Sequence, residues 1–258
     1  RAPEAFIAEL EMLRKTYGVD VFLLCDEFPT SDRARWEEIL DRLIALDNGA
    51  FILMETRVED IVRDADIMWK YRKAGIIHIY IGVEATSQAT LDRLKKDIKV
   101  EQSREAIRLI NEAGMVTETS FILGFPEETP ESIAETLKLA KFYAPDFAHF
   151  LALAPWPYAD MYDEMKPHIE DFNYTHYDLV TAVIKPISMS RRKINNEMIN
   201  CYKKFYMDKL PEYDAIKDEF KRKYLLTSMR LMMKSSFLTK YMKGLGKIPA
   251  EVERYLGR

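Results

Sequence analysis

Cysteine is scarce in this chain: Cys25 and Cys201 are the only two in 258 residues, and they lie far apart. That spacing excludes a local metal-binding motif and a disulfide framework, and the usage fits a reducing, cytoplasmic setting. Long apolar runs are also missing. The longest are too short to cross a bilayer, and no signal peptide opens the sequence. Neither charge dominates, and a formal net charge of −4 points neither toward nucleic acid nor away from it. Apolar residues, by contrast, make up 48% of the chain. That is enough for a sizeable core, in one large domain or in a domain with a substantial appendage. The first residue is Arg1 rather than Met, and "RAPEAFIAEL" enters helical periodicity at once; a piece of a longer protein is the expectation.

One pattern recurs. A helix-period segment ends in glycine and a short apolar run follows. It appears as "EAFIAELEMLRKTYG" then "VDVFLLCDE", and as "RARWEEILDRLIALDNG" then "AFILMETR". It returns as "ADIMWKYRKAG" then "IIHIYIGVE", and as "EQSREAIRLINEAG" then "MVTETSFILGFPEE". A fifth copy, "ESIAETLKLAKFYAP" then "DFAHFLALAPWP", has proline in place of the glycine. Glycine just past a helix is the expected left-handed cap. Apolar runs without clean alternation predict strands buried on both faces, as in parallel sheets. The alternation predicts an α/β fold: a partial (β/α)6 TIM-like barrel lacking its first strand over residues 1–157, with a doubly wound open sheet as the alternative.

The strand ends carry more information than the strands. They finish in Asp26-Glu27, Thr56-Arg57, Glu84, Glu127-Glu128 and Pro155-Trp156. Parallel barrels and open sheets bind ligands at the carboxyl ends of their strands, so these residues sit where an active-site rim belongs. In "FILGFPEETPES", Thr129-Pro130 reads as an N-cap with proline in the first helical position, and Glu128 as helix-entry charge. Glu127 is left as the candidate of that stretch.

From Tyr158 the repeat stops, and residues 158–258 are expected to form an irregular and helical region covering the barrel. "YADMYDEMKPHIEDFNYTHYDLVTAVIKPISMS" is rich in Tyr, His and Pro; two helix-periodic segments follow. The last is basic, with Lys217, Lys221, Arg222, Lys223, Arg230, Lys234, Lys240, Lys243 and Lys247. Its apolar stripe, Leu225, Met229, Met232 and Tyr241, is expected to pack on the barrel.

"DEF", "TRV", "IGVEA" and "SFILGFPEET" close successive strands in that order. Together they resemble the later strands of a radical S-adenosylmethionine (SAM) enzyme, whose catalytic domain is a (β/α)6 partial barrel. "SFILGFPE" fits that superfamily's G-x-I-x-G-x-x-E pattern from Ile122 onward, with Ser120 in place of the first glycine. "TRVEDIVRD", "RKAGIIHIYIGVEA", "PWP" and "DFNYTHYDLVTAVIKP" are most similar to the cobalamin-binding branch, in particular to the anaerobic magnesium-protoporphyrin IX monomethyl ester oxidative cyclase family.

The resemblance implies SAM as cofactor, with a [4Fe–4S] cluster and cobalamin in the full-length protein. The cluster of such enzymes sits on a C-x3-C-x2-C loop, since soft thiolates favour iron–sulfur clusters. Neither Cys25 nor Cys201 belongs to such a triplet. The implied cluster-binding and cobalamin-binding segments are therefore expected upstream, with no metal ligand here and no activity from this chain alone. The resemblance also implies roles for the rim. Asp26 and Glu27 would meet the SAM ammonium, and Arg57 its carboxylate through two parallel hydrogen bonds. Glu84 would hold the ribose hydroxyls. Ile122 to Glu127 would flank the adenine, with Gly124 admitting close backbone approach. Against these stand plainer readings: an Arg57–Glu84 ion pair, helix-entry charge for one of Asp26 and Glu27, and Cys25 as a small core residue. His149, Trp156 and Tyr158 are substrate-side candidates, or core packing and an aromatic plug; His168 and His176 are candidates to line or cap the opening.

The implied partner is a small molecule, a flat tetrapyrrole in a cyclase, with no nucleic acid and no transmembrane segment. Three further readings stand beside it. One is a cobalamin-dependent radical SAM methyltransferase. Another is an iron-free (β/α) enzyme using Glu84 and Glu127 as an acid pair. The third is a non-catalytic barrel that only binds.

Overall fold

The computed structural model describes residues 1–84, 88–93 and 99–234. The chain divides into two compact units, Arg1–Tyr202 and Lys203–Arg258.

The first unit opens with helix α1 (Pro3–Tyr17), strand β1 (Val21–Leu23), helix α2 (Arg33–Leu46) and strand β2 (Phe51–Thr56). Helix α3 (Val58–Arg63), a 3-10 turn at Ala65–Ile67, helix α4 (Met68–Lys73) and strand β3 (Ile76–Glu84) follow. Next come α5 (Gln88–Arg93), α6 (Val100–Glu112), β4 (Val116–Leu123), α7 (Pro130–Tyr143) and β5 (Phe147–Ala152). Beyond the sheet lie a short helix α8 (Tyr162–Met165) and the long helix α9 (Arg191–Ala215), which contains the junction between the units; α10 (Glu219–Lys234) belongs to the second.

The five strands form one parallel sheet in the order β1-β2-β3-β4-β5. The order never reverses, so the sheet has no switch point of the doubly wound kind; it is a partial (β/α) barrel. Burial along the helices follows the helical period. In α2, Trp36, Ile39, Leu40 and Leu43 are buried at i, i+3, i+4 and i+7, and α6 buries Ser103, Ala106, Ile107 and Ile110 at the same spacing. Each fully buried large side chain contributes about 1.5–3 kcal/mol.

Two sequence expectations need correction. Gly18, Gly75 and Gly114 follow α1, α4 and α6 at positive φ (66°, 95° and 78°) as expected, but after α2 the left-handed cap is Asp47 (φ 40°), two residues ahead of Gly49. Gly75 is also needed for a close approach. A Cβ there would lie 2.3 Å from the Ala50 carbonyl oxygen, where β2 and β3 begin to pair. Secondly, the strands are not covered on both faces. Burial alternates in β2, in the second half of β3 and at Glu118 and Ile122 of β4. Helix-side positions such as Met54, Ile81, Phe121 and Phe150 are closed. The other face carries Leu23, Glu55, Tyr80, Glu84, Glu118 and His149, all partly or fully exposed.

In the second unit, Leu225 and Met229 are buried as the stripe predicts, and so is Lys221, which the sequence places among the basic residues of that helix. Lys240, Tyr241, Lys243 and Lys247 lie outside the described residues.

Candidate functional site

The rim at the carboxyl ends of the strands begins with the loop after β1. That strand stops at Leu23, two residues short of Cys25, so Cys25 is exposed rather than a core residue; its thiol reaches back to the Leu23 carbonyl. Asp26 and Glu27 are exposed beside it, and Asp26 Oδ1 accepts the Phe28 N–H at 3.1 Å. Neither acid is helix-entry charge, because α2 is capped by Asp32, whose side chain accepts from the Arg35 N–H.

Arg57 follows β2 directly. Its guanidinium carbon lies 4.1 Å from the centroid of the Phe28 ring, and Nη1 is 3.8 Å from Glu59 Oε1. The carboxylate paired with Arg57 is therefore that of Glu59, two residues on in sequence. The ring of Phe28 ties Arg57 to the loop of Asp26 and Glu27, bringing these three candidates together.

A buried polar network fixes this junction. Thr56 and Thr30 meet through their hydroxyls at 2.5 Å, and Thr30 donates onward to Asp60 Oδ2. Arg63 grips the fully buried Asp64 with Nε at 2.7 Å and Nη2 at 3.0 Å, reaches Asp60 Oδ1 at 3.0 Å, and donates to the Thr30 carbonyl. Tyr71 completes Asp64 with a phenol hydrogen bond of 2.6 Å. Burial pushes the Asp60 carboxyl up, against the pull of Thr30 and Arg63.

Glu84 ends β3 in the left-handed region, φ 62°, just past a register shift between Gly82 and Glu84. At the exit of β4, Gly124 adopts φ 96°, which side chains rarely do, and its N–H donates to Glu128 Oε2 at 3.2 Å. The glycine is required by that backbone angle rather than by crowding, since the nearest atoms to an added Cβ stand at 3.6 and 3.9 Å. Glu128 is buried and also accepts from Ser132, so the second glutamate closes the turn into α7; burial raises its carboxyl. Thr129 caps that helix and Pro130 opens it. Glu127 remains at the exposed rim.

Ile122 and Trp156 come together in an apolar cluster built on Phe125, Leu153, Met165, Tyr177 and Val183. Trp156 stands edge-on to Tyr177 at 6.3 Å, while Tyr158 is 85% exposed and outside that cluster. His176 is drawn off into a surface ion group, with Nδ1 2.9 Å from Asp171, which Arg191 also holds at 2.8 Å.

The inner face holds a constellation the sequence reading did not assemble. Glu118 Oε1 lies 2.5 Å from His149 Nε2 on β5, and Oε2 lies 2.8 Å from His78 Nε2 on β3. Burial alone would raise this carboxyl; the hydrogen bonds from His149 and His78 outweigh it and hold it at about 2. Tyr80 opposes Glu118 in register and bonds Ser120 Oγ at 2.6 Å, and Ser120 opposes His149. The two-residue period places His78 with Tyr80 and Glu118 with Ser120 on one face; it shows in "HIY" and is masked in the all-polar "TETS". Among the described residues no group of three or more His, Cys, Asp or Glu is arranged to hold a metal ion.

Residues 1–140 match the family model described as the radical SAM superfamily. A protein of Rubrivivax gelatinosus named anaerobic magnesium-protoporphyrin IX monomethyl ester cyclase is 37% identical over 242 residues, 93% of this chain and 44% of that protein. One of the same name from Cereibacter sphaeroides is 37% identical over 238 residues, 91% of this chain and 39% of its own. The chain thus spans less than half the length of these curated relatives. Among solved structures, the radical SAM methyltransferase TsrM from Kitasatospora setae, with cobalamin and a [4Fe–4S] cluster bound, superposes with a TM-score of 0.57 at 18% identity. The match covers 65% of this chain and 32% of that one, and is a likeness of fold.

Proposed function

The chain belongs to the radical SAM superfamily, and from that premise we propose that it is the barrel part of an enzyme that binds SAM at the strand rim and carries out oxidative ring formation on a tetrapyrrole. The observation that carries the reading is the rim: successive parallel strands end in Asp26-Glu27, Arg57, Glu84 and Gly124. The tetrapyrrole rests on the 37% identity to proteins named as that cyclase.

The donor set fits the groups of SAM. Asp26 and Glu27 are exposed carboxylates suited to its ammonium. Arg57, steadied over Phe28, offers a two-pronged grip on its carboxylate. Glu84 accepts from the ribose hydroxyls, and Ile122, Gly124 and Glu127 border the adenine. When reduced by an iron–sulfur cluster, SAM supplies a 5′-deoxyadenosyl radical that takes a hydrogen atom from the substrate. His149, Trp156 and Tyr158 lie on the substrate side of this arrangement. The cluster does not fit the residues present. Cys25 is exposed and Cys201 buried, and two separated thiols do not make a three-thiolate loop. The reading therefore takes the cluster ligands, and any cobalamin site, from outside these residues. Both cysteines are free thiols, as in proteins of a reducing compartment, and we assign the enzyme to the cytoplasm. No described helix is long and apolar enough to cross a membrane.

A second reading, a cobalamin-dependent methyltransferase on the same barrel, is favoured by the fold likeness to TsrM. Arg57→Met tests the rim. Its pair with Glu59 is exposed, so stability should change by no more than about 0.5 kcal/mol, while SAM affinity by equilibrium dialysis falls at least about tenfold. Unchanged affinity would remove Arg57 from the site. Mass analysis of the product from a magnesium porphyrin monomethyl ester separates the two reactions: loss of hydrogen with ring formation, or gain of one methylene.

A further inference from the structure

The group on the inner face is not among the rim residues proposed to hold SAM. Glu118 bridges two imidazoles from neighbouring strands, and side-chain exposure is graded across it: His78 10%, Glu118 27%, His149 29%. His78 is the buried end, packed 5.9 Å from the Phe147 ring, and His149 is the end open to the barrel interior. The contacts are half-buried, and beyond what they contribute to stability they orient a ring.

The protonation pattern follows from the acceptor. An ionised carboxylate only accepts hydrogen bonds, so the His149 Nε2 that bonds Glu118 carries hydrogen. In neutral His149 the lone pair is then on Nδ1, and among the described residues the ring has no partner besides Glu118. The other polar groups on this face are Tyr80 and Glu84 on β3, Glu55 on β2 and Ser120 on β4, with Tyr80 beside Glu118 and near Glu55 and Glu84. Burial raises the Tyr80 phenol to about 12, so it stays neutral and does not compete for the proton.

We propose that His149, oriented by Glu118, is a proton-transfer site that acts through Nδ1 on a substrate bearing a weakly acidic O–H, or a C–H beside a carbonyl. The Nδ1 lone pair forms the new N–H bond, and the electrons of the broken O–H or C–H bond stay on the substrate. The ring becomes an imidazolium whose Nε2–H remains on Glu118, and the carboxylate balances its charge. No electron changes hands, so no oxidant or reductant enters the step. The site sits about 10 Å from the strand ends, three residues before Ala152 at the strand rise of about 3.3 Å. The inference rests on the radical SAM reading for the location of the substrate only.

The deciding experiment uses the cluster-loaded enzyme with His149→Ala, and follows the ratio of product to 5′-deoxyadenosine. We expect that ratio to fall about a hundredfold or more, the usual contribution of a positioned acid–base group, and added imidazole to restore part of it. An unchanged ratio, or a fall that imidazole does not relieve, overturns the proposal. If the wild-type enzyme forms no 5′-deoxyadenosine, the radical reading fails, and nitrogen-15 NMR of the imidazoles still decides this inference. The Nε2–H form of His149 in wild type, lost or mixed in Glu118→Gln, supports it; an Nδ1–H form in wild type overturns it.

Discussion

Thr30 and Thr56 touch hydroxyl to hydroxyl at 2.5 Å, and both are buried. One belongs to the loop of Asp26 and Glu27, the other immediately precedes Arg57. Their contact, continued from Thr30 to Asp60, joins the exits of β1 and β2 at the point where the proposed SAM ligands from the two strands meet. Strand pairing alone would hold this edge weakly, since β1 is only the three residues Val21–Leu23.

Thr30→Val keeps the shape and removes the hydroxyl. Thr56 then has no acceptor at that point, and Asp60 loses a donor while remaining buried. Leaving buried polar groups unsatisfied costs about 1–3 kcal/mol. Urea unfolding should show a loss in that range, and Thr30→Ser should recover most of it. SAM affinity should weaken in the Thr30→Val protein and not in the Thr30→Ser protein, because the loop loses its anchor without losing a ligand. A Thr30→Val protein as stable as wild type would mean that the loop is held by other contacts.

Glu118 predicts a particular acid limb. Its carboxyl is held at about 2 in the folded protein, below its ordinary 4.5, because the bonds from His149 and His78 outweigh the opposing effect of burial. A depressed carboxyl contributes stability above its unfolded value, and the contribution is lost as the pH falls toward the folded value. The stability gap between wild type and Glu118→Gln should therefore narrow as the pH falls from about 4.5 to about 2. Asp60 and Glu128, both raised by burial, shift the other way and are common to the two proteins, so the difference isolates Glu118. Urea midpoints at stepped pH read it out, and a gap that stays constant through the acid range would contradict the ion cluster.

The helix–strand alternation, the end of α1 at Gly18 and the Thr129–Pro130 start of α7 were legible because each is a local signal. The order of rim residues was legible because parallel strands all end on one side. The inner face was not. In "TETS" every side chain is polar, so the two-residue period is hidden. Thr117 and Thr119 turn to the helix side and satisfy their hydroxyls there, Thr119 on the Ile81 carbonyl at 2.7 Å and Thr117 on Asp146 at 3.3 Å. Only the pairing of β3, β4 and β5 brings His78, Glu118 and His149 together, and no single-strand pattern contains that information. Cys25 was misplaced for a related reason: "VFLLC" reads as one apolar run, but pairing with β2 ends before it.

Glu84 lets backbone strain and ligand binding be separated at one position. Its φ of 62° lies in the left-handed region, where a non-glycine residue is strained by about 1 kcal/mol and glycine is not. Glu84→Gly and Glu84→Ala both remove the carboxylate and whatever it contacts, so those losses cancel in the comparison. The difference between the two reports the backbone angle. Glycine should be the more stable by about 1 kcal/mol in urea unfolding, less the greater chain entropy it gives the unfolded state. An advantage for alanine of about 0.4–1 kcal/mol, the full entropy difference, would show that residue 84 leaves the left-handed region in solution. SAM affinity should behave differently: if Glu84 accepts from the ribose hydroxyls, both variants weaken binding to the same extent whatever their stability. Affinity that tracks stability instead, with glycine near wild type and alanine impaired, would mean that the strand end matters for its shape and that the carboxylate is no ligand.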